Sequence, residues 1–366
     1  MDSTALVTEI RDELMGVVDP DLDMTFEELD AIRNIEVKDG LIRIVLELIQ
    51  PINMVAEQIN DTCVKVLQSI APDYENEIIF SEKPIDLSDR EVLKGVKNIV
   101  AVASGKGGVG KSAISSNLAA ALAMTGARVG ILDGDVYGPS QPTMFNLKDK
   151  TLQGVEDNGK IMAYPHENYG VKVASMGMMM SQDQAAIVRG PMLAGYFSTL
   201  FEQVEWGVLD FLIFDLPPGT GDIQLTMTQR IPLTGAVVVT TPQEISLADV
   251  RRSISMFEKV DVPVLGIVEN MSYFVPPDMP DKKYYIFGKE GGKEIAKEKD
   301  IPLLGQVPLN VDMRESNDNG KPVVLSETKE TEMQREILME VARNMTKEIR
   351  KRIYEQQVSG DVEISI

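Results

Sequence analysis

The order of hydrophobic and polar positions divides the chain into a short first part and a long second part. In the first part, Leu6, Ile10 and Leu14 recur at the spacing of one helical face. Apolar positions between Val55 and Ile70 mark one face of a second helix. The first part is therefore expected to contain two amphipathic helices.

Three strand-like runs accompany these helices. The runs at residues 32–37 and 41–49 flank Lys38-Asp39-Gly40, and an Asp-Gly pair between apolar runs indicates a hairpin. Residues 77–80 are a third candidate strand. The pattern predicts a small αββαβ domain over residues 1–80. Residues 81–96 are polar, contain Pro84, and are interpreted as a linker.

The long second part, residues 97–366, alternates strand and helix signals. Helical stretches separate most of its apolar runs, and a charged helix is expected near the C-terminus, over residues 330–356. Such alternation is typical of an α/β fold with a parallel sheet covered on both faces. The predicted strands are residues 98–103, 128–132, 211–215, 235–240 and 264–269.

Composition and charge limit the class of protein. With 366 residues and 43% hydrophobic positions, the chain is long enough for about two globular domains. Its net charge is −21, and residues 1–84 hold 6 Lys and Arg against 19 Asp and Glu. An acidic chain repels nucleic acids and anionic lipids, so neither is expected as a partner. The first residues lack the pattern of a signal peptide, and a cytoplasmic location is expected.

Cysteine and histidine are nearly absent from the chain. One cysteine, Cys63, excludes an intramolecular disulfide, a zinc finger or a four-cysteine iron–sulfur site within one chain. Cys63 lies on the apolar face of the second predicted helix, so we interpret it as a core residue, with a metal thiolate as the alternative. The single histidine, His166, lies in a segment interpreted as a surface turn.

A glycine-rich segment carries the strongest chemical signal. It fits the GxxxxGK[ST] pattern and lies between a predicted strand, residues 99–103, and a predicted helix, residues 112–124. Its backbone amides are expected to surround phosphates, Lys111 to reach the β and γ phosphates, and Ser112 to ligate Mg²⁺. The predicted ATP-binding residues are Gly105, Lys106, Gly107, Gly108, Val109, Gly110, Lys111 and Ser112.

Carboxylates follow two further strands of the predicted sheet. Asp133 and Asp135 follow the run at residues 128–132, and Asp135 is the candidate that orients the attacking water and accepts its proton. Asp133 could support Mg²⁺ indirectly. A helix cap or a turn is the alternative for either residue. Asp215 directly follows four apolar residues, which is a Walker B pattern, and it should hold a Mg²⁺-bound water.

Two more features complete the predicted nucleotide site. The loop after Asp215, with Pro217, Pro218, Gly219 and Gly221, is stiff and could sense the γ-phosphate. Asn270 ends another predicted strand, and its amide is expected to pair with the adenine edge.

These motifs together resemble the Mrp/ApbC-type ATPases over about residues 92–350. The first 80 residues are similar to the small αββαβ domain of iron–sulfur assembly factors. The strings that carry the resemblance are Gly-Lys-Gly-Gly-Val-Gly-Lys-Ser, Asp-Val-Tyr-Gly-Pro-Ser, Arg189-Gly-Pro191, Asp-Leu-Pro-Pro-Gly-Thr-Gly-Asp, Asn-Met-Ser-Tyr-Phe and Arg314-Glu-Ser-Asn-Asp-Asn-Gly-Lys-Pro322.

The resemblance implies a role for a second lysine of the loop. P-loop ATPases of the MinD/ParA/ArsA type, which have a deviant Walker A motif, carry a lysine at the position of Lys106. It implies that Lys106 reaches the nucleotide of the partner in a homodimer, as an arginine finger does. A surface charge is the alternative for Lys106, and the other motifs favour the role in the dimer.

The resemblance also implies a homodimeric, cytoplasmic ATPase that carries an iron–sulfur cluster to apoproteins. Members usually place a CxxC pair soon after Asn-Met-Ser-Tyr-Phe, and two such pairs would hold one cluster across the dimer. Here residues 274–287 contain no cysteine. Residues 50–54, where the small domain usually has another, contain none either. The nucleotide machinery is retained and the expected thiolate sites are missing.

Three functions remain open at this point. The first is the family's role as an ATP-driven iron–sulfur carrier. The second is an ATP-controlled dimeric switch or adaptor in the same pathway, without its own cluster. Any family-like activity would then need a partner that supplies the cysteines. The third, a spatial organiser of the MinD or ParA kind, is disfavoured because such proteins need basic membrane-binding or DNA-binding segments, and this chain is acidic.

Overall fold

The computed structural model describes residues 3–88, 90–136, 138–157, 160–179 and 200–360. The chain forms two compact units. One contains residues up to Ile85 and the chain from Thr346 onward, and the other is Asp86–Met345. This division differs from the sequence-based boundaries, which placed residues 81–96 in a linker and all of residues 97–366 in one domain.

The first unit is built on a three-stranded sheet. β3 and β4 are antiparallel, and β4 and β5 are parallel, so the predicted αββαβ order is confirmed with one short strand pair added. The elements are α1 (Ser3–Met15), β1 (Val18–Asp19), β2 (Met24–Thr25), β3 (Ile32–Lys38), β4 (Leu41–Leu48), α2 (Ala56–Ile70) and β5 (Glu75–Glu82).

The core of this unit is built from apolar side chains that recur at strand spacing on the sheet and at helical spacing on the two helices. On β4, Ile42, Ile44 and Leu46 are fully buried at every second position, as expected where one face of a sheet is covered. α1 and α2 contribute their predicted apolar faces to the same core. Cys63 on α2 is fully buried within it, which confirms its interpretation as a core residue.

The C-terminal helix supplies a buried cation to the first unit. It is the last helix of the chain, Glu332–Gly360, and Arg350 on it is fully buried. The Arg350 guanidinium donates to the carboxylates of Asp19 and Asp21 and to the carbonyl of Ile49. Burial of one cation between two carboxylates explains why the chain from Thr346 onward groups with the first unit. Helical periodicity did not reveal this pairing.

The second unit contains an eight-stranded sheet in its described residues. The strands are β6 (Val96–Ala103), β7 (Val129–Asp133), β10 (His166–Asn168), β11 (Val171–Ser175), β12 (Leu209–Asp215), β13 (Gly235–Thr240), β14 (Val264–Phe274) and β15 (Leu303–Leu309). Their order in the sheet is β10-β11-β7-β12-β6-β13-β14-β15, parallel throughout except for the antiparallel pair β10–β11. This confirms the predicted parallel sheet.

Helices flank this sheet, and a hairpin forms a separate two-stranded sheet. A hairpin of β8 (Gly154–Asp157) and β9 (Lys160–Ala163) precedes β10. The helices are α3 (Lys111–Met124), α4 (Gln141–Met144), α5 (Asp222–Arg230), α6 (Glu244–Glu258), α7 (Gly291–Lys299), α8 (Val311–Asp318) and α9 (Glu332–Gly360). None of the helices in the described part of the chain combines the length and the apolar character that a membrane span requires.

The central strands bring the chemically important ends together. β12 lies between β7 and β6, and Asp215 pairs in register with Asp133 on one side and Val102 on the other. β7 and β12 are buried at every position, as expected for central parallel strands. The carboxyl ends of the three strands therefore open onto one edge of the sheet.

Some features differ from the sequence-based expectations. His166 belongs to β10 rather than to a turn, and its Nε2 lies 3.0 Å from the carbonyl oxygen of Thr151. The strands β10, β11 and β15 and the hairpin of β8 and β9 were not predicted. The Arg189-Gly-Pro191 motif lies outside the described residues.

Candidate functional site

The glycine-rich segment forms a loop between β6 and α3, as predicted. Gly108 and Gly110 have φ angles of +83° and +82°, which residues with a side chain rarely adopt. At Gly108, an added methyl group would meet nothing within 4 Å, so this side of the loop faces open space. Gly110 directly precedes α3, and the loop leads into the N-terminus of that helix, a favourable place for phosphates.

Lys111 and Ser112 lie where the loop enters α3. The Nζ atom of Lys111 forms an ion pair with Oδ1 of Asp215 and lies 3.2 Å from Oγ of Ser112. Lys111 is 6% exposed and Asp215 is fully buried. The structure thus brings together the three residues that the sequence assigned to phosphate and magnesium, and an ammonium lies between the two candidate metal ligands.

Two residues that the sequence motifs did not single out hold the Asp215 carboxylate. Ser115, one turn after Lys111, donates from Oγ to Oδ1 of Asp215 at 2.8 Å. Gln141, the first residue of α4, donates from Nε2 to Oδ2 at 2.8 Å. Ser115 follows Lys111 by four residues and could have been found from helical spacing. Gln141 carried no signal of this kind.

Asp133 is held differently from Asp135. The Asp133 carboxylate accepts from the backbone amides of Asp135, Ser140 and Gln141 and from Oγ of Ser175, so it orders the loop that follows β7. Burial raises the pKa of Asp133, and the negative charge of Asp215 acts in the same direction.

Asp135 lies within that loop and is only half-buried. Its Oδ1 accepts from the backbone amide of Gly138 at 3.0 Å. Asp135 comes two residues after Asp133, the last residue of β7, which pairs in register with Asp215. This position is compatible with the predicted catalytic role.

Lys106 extends from the first half of the glycine-rich loop towards α6. Its Nζ lies 3.4 Å from Oε1 of Gln243, which precedes the first turn of α6. A single long hydrogen bond to a neutral amide holds an ammonium weakly. Lys106 can therefore exchange this contact for a stronger one at little cost.

Asn270 contacts the glycine-rich loop in the structure. Its Nδ2 donates to the carbonyl of Val109 at 2.8 Å, from within β14. A methyl group at Gly110 would lie 2.2 Å from the same Nδ2, so the glycine is needed for this close approach. No further hydrogen bond of this amide to a described residue is seen, so its second Nδ2 hydrogen and Oδ1 are available for the predicted pairing with adenine.

The loop after β12 is tied to the same edge of the sheet. The amide of Leu216 donates to the carbonyl of Val102 at 3.0 Å, and that of Gly219 donates to the carbonyl of Ser104 at 2.9 Å. The Gln224 side chain donates to the carbonyl of Pro218 at 2.7 Å. The proline- and glycine-rich loop predicted to sense the γ-phosphate therefore lies against the end of β6, from which the glycine-rich loop begins.

The arrangement fits a magnesium nucleotide. The loop offers open space and a helix N-terminus for phosphates, and Lys111 lies at the start of that helix. Ser112 Oγ and the Asp215 carboxylate are oxygen donors of the kind that Mg²⁺ prefers. The Lys111 ammonium beside both shows that this position already accommodates positive charge.

The segment without the expected cysteines has an aromatic character. Phe274 and Tyr284 pair backbone to backbone, and the rings of Tyr273 and Tyr285 are 6.4 Å apart, centre to centre. Lys283 Nζ lies 4.2 Å from the centre of the Tyr273 ring, a cation–π contact. The chain's only cysteine, Cys63, is elsewhere, in the core of the first unit, where burial raises its pKa to about 12.

Comparison with known proteins yields both family models and close relatives. Residues 95–346 match the family described as NUBPL iron-transfer P-loop NTPase, and residues 8–78 match the iron–sulfur cluster assembly protein family. An iron–sulfur cluster carrier protein of Synechocystis is 47% identical over 317 residues, which cover 86% of this chain and 90% of that protein. One from Deinococcus radiodurans is 41% identical and covers 92% of this chain and 93% of its own length.

Solved structures agree with the family match. A nucleotide-binding protein from Archaeoglobus fulgidus, solved in complex with ADP, is 37% identical with a TM-score of 0.56 and covers 65% of this chain and 91% of its own. The cell division ATPase MinD of Pyrococcus furiosus, 22% identical with a TM-score of 0.50 over 68% of this chain and 98% of its own, shares the fold. The family match spans more than half of the residues of this chain, and the chain therefore belongs to the NUBPL iron-transfer P-loop NTPases.

Proposed function

We propose that the chain is a cytoplasmic, homodimeric ATPase that depends on Mg²⁺ and acts in the assembly or transfer of iron–sulfur clusters. The observation that supports it most is the meeting of Lys111, Ser112 and Asp215 at the entrance of α3. The names of the relatives from Synechocystis and Deinococcus support the iron–sulfur role.

Nucleotide binding begins with the glycine-rich loop. Its backbone amides and the N-terminus of α3 surround the phosphates, while Asn270 holds the loop through Val109 and turns its remaining polar atoms to the adenine. Lys111 leaves Asp215 for the β and γ phosphates. Ser112 Oγ and, through a water, Asp215 would hold Mg²⁺, which neutralises charge on those phosphates.

Hydrolysis then depends on two side chains at the rim of the site. Asp135, in the loop after β7, orients the attacking water and takes its proton. Lys106 gives up its weak contact with Gln243 and reaches the nucleotide bound by the partner protomer. There it stabilises negative charge that develops in the transition state. Each site is then complete only in the dimer.

The cluster itself requires sulfur ligands from elsewhere. A [4Fe–4S] cluster usually takes four thiolates, whereas a dimer of this chain has only two cysteines, both Cys63. Cys63 is fully buried, and its pKa is raised to about 12 because burial disfavours the thiolate. We therefore propose that a partner supplies the cysteines, or that the chain serves the pathway as an ATP-controlled switch or adaptor. The cysteine-free aromatic segment at residues 273–285 favours these two versions over a self-sufficient carrier.

Calorimetric titration of the purified chain with MgATP, together with phosphate release, tests the nucleotide role. The wild-type chain is expected to bind MgATP and release phosphate. Lys111→Ala should abolish tight binding, because the loop loses its cation for the β and γ phosphates. Unchanged affinity of Lys111→Ala would refute the assignment of this loop as the ATP site.

A further inference from the structure

Gln141 is a buried polar residue at the nucleotide site for which the proposed mechanism has no role. It begins α4, directly after the loop that carries Asp135, and its side chain is fully buried. A buried amide is costly unless it is hydrogen-bonded, so its partners indicate why it is there. All of them belong to the nucleotide site.

The contacts of Gln141 connect the end of β7, the end of β12 and the start of α3. Its Nε2 donates to Oδ2 of Asp215 at 2.8 Å and to the carbonyl of Ser112 at 3.0 Å. Its backbone amide donates to Oδ2 of Asp133 at 3.0 Å. Both hydrogens of the side-chain amide are thus used on the two residues assigned to magnesium, and the backbone fastens the same residue to the end of β7.

The other side-chain atom of Gln141 has an unused capacity. Oε1 is buried and has no hydrogen-bond partner among the described residues. It shares one carbon with Nε2, the atom that donates to the Asp215 carboxylate. A buried acceptor without a donor is unfavourable, and a water bound to a metal held by Asp215 would provide that donor.

The importance of Gln141 should increase when nucleotide binds. Among the described residues, three side chains donate to the Asp215 carboxylate: Lys111, Ser115 and Gln141. Once Lys111 turns to the phosphates, only the two neutral donors keep the carboxylate in place. Gln141 is then the donor on Oδ2, and it holds that oxygen in a fixed direction.

We infer that Gln141 is a positioning residue that orients Asp215 for magnesium and couples the metal site to the loop carrying Asp135. This inference rests on the proposed ATPase function. It assigns Gln141 no contact with the nucleotide. Binding of metal-free ATP should therefore not depend on Gln141, whereas the gain in affinity that Mg²⁺ provides should depend on it.

Titration with a fluorescent ATP analogue, once with EDTA and once with Mg²⁺, separates these two quantities. Gln141→Met keeps the length of the side chain and removes its amide. We expect unchanged affinity in EDTA and a loss of about tenfold in the enhancement by Mg²⁺, the size expected for a hydrogen bond to a charged group. In turnover, kcat should fall more than KM rises, because Asp135 loses its link to the metal site.

Two further variants make the result interpretable. Gln334→Met is the matched control, since Gln334 is also fully buried and its amide has no hydrogen-bond partner among the described residues. It should behave as the wild type. Gln141→Asn keeps the backbone contact to Asp133 and an amide, but is one methylene too short to reach Asp215. It should lose the Mg²⁺ enhancement as Gln141→Met does, and it serves as the test if the methionine variant does not fold.

The outcomes are distinct. An unchanged Mg²⁺ enhancement in Gln141→Met or Gln141→Asn would overturn the inference. An equal loss in EDTA and in Mg²⁺ would also overturn it, because Gln141 would then support only the fold of the loop. Failure of the wild-type chain to bind nucleotide under either condition would instead refute the proposed function.

Discussion

Among single residues, Asp215 is the one on which the site depends. It is fully buried, and Lys111, Ser115 and Gln141 all donate to it. A buried carboxylate is stable only when its charge is compensated, and here the Lys111 ammonium compensates it. The same ammonium is the one that the phosphates require, so nucleotide binding and metal binding are expected to be linked through Lys111.

Lys106→Ala tests the role of the second lysine. We expect MgATP binding to be nearly unchanged, because within the described part of the chain the Lys106 ammonium has a single long contact, with Gln243. Hydrolysis should fall by about a hundredfold or more, as on loss of a donor that acts chiefly in the transition state. Binding is measured by calorimetry and hydrolysis by phosphate release.

The control for Lys106→Ala is Lys150→Ala, which removes an exposed lysine elsewhere in the same unit. It should leave both quantities unchanged. Normal hydrolysis by Lys106→Ala would show that this lysine is a surface charge after all.

Asn270→Ala tests how the base is recognised. Removing the amide takes away the donor to Val109 and, on our proposal, the contacts with the adenine edge. ATP affinity should fall by about tenfold, the order expected when a buried polar partner is lost, and the preference for ATP over GTP should disappear. Competition binding of both nucleotides gives this ratio. If ATP and GTP weaken by the same factor, Asn270 serves only to hold the loop.

Residues with motif spacing could be predicted from the sequence, and residues joined only by the fold could not. Lys111, Ser112 and Asp215 were each identified from local patterns, and the structure brings them together. Gln141 is 74 residues from its partner Asp215 in the chain. No local pattern reports such a contact, because it exists only once β7 and β12 lie side by side.

Among the elements, the order of the central strands matters most. β12 lies between β6 and β7, and this brings three carboxyl ends to one edge. Long apolar runs predicted these strands well because central parallel strands are buried on both faces. β10 was missed because its sequence, His-Glu-Asn, is short and polar and pairs at the edge of the sheet.

Helix α9 shows the limit of reasoning by local periodicity. The predicted helix exists, but the part that follows Thr346 belongs to the first unit, where Arg350 pairs with Asp19 and Asp21. A sequence pattern locates an apolar face and does not say which core that face or a neighbouring cation joins. The first unit is therefore discontinuous in sequence.

Arg350→Ala should destabilise the first unit specifically. The substitution leaves two carboxylates buried without their cation, a change that typically costs about 3–5 kcal/mol. Hydrogen exchange of the amides in β3 and β4 should accelerate accordingly, because these strands belong to the same core.

Arg352→Ala is the matched control, since Arg352 lies on the same helix and is only partly buried. It should leave the exchange rates in β3 and β4 close to those of the wild type. Unchanged protection of β3 and β4 in Arg350→Ala would mean that this ion pair does not stabilise the unit.

On the scale of the whole molecule, charge acts against the proposed dimer. Each chain carries a net charge of −21, so two chains repel each other until specific contacts form. Raising the salt from about 0.02 M to about 0.15 M shortens the screening length to about 8 Å and should strengthen the MgATP-dependent dimer. Sedimentation at both salt concentrations measures this. A dimer that weakens with salt would indicate that attractive ion pairs across the interface dominate.

The central proposal for the whole molecule is that the chain has a nucleotide site but no thiolate site that would hold a cluster. The most direct test is anaerobic reconstitution with iron and sulfide in the presence of MgATP, followed by visible absorbance and by iron and sulfide content. We predict no stoichiometric cluster on the purified protein, because the dimer offers only two cysteines and both are buried with a pKa raised to about 12. A stoichiometric cluster on the homodimer that is lost on Cys63→Ser would contradict this proposal.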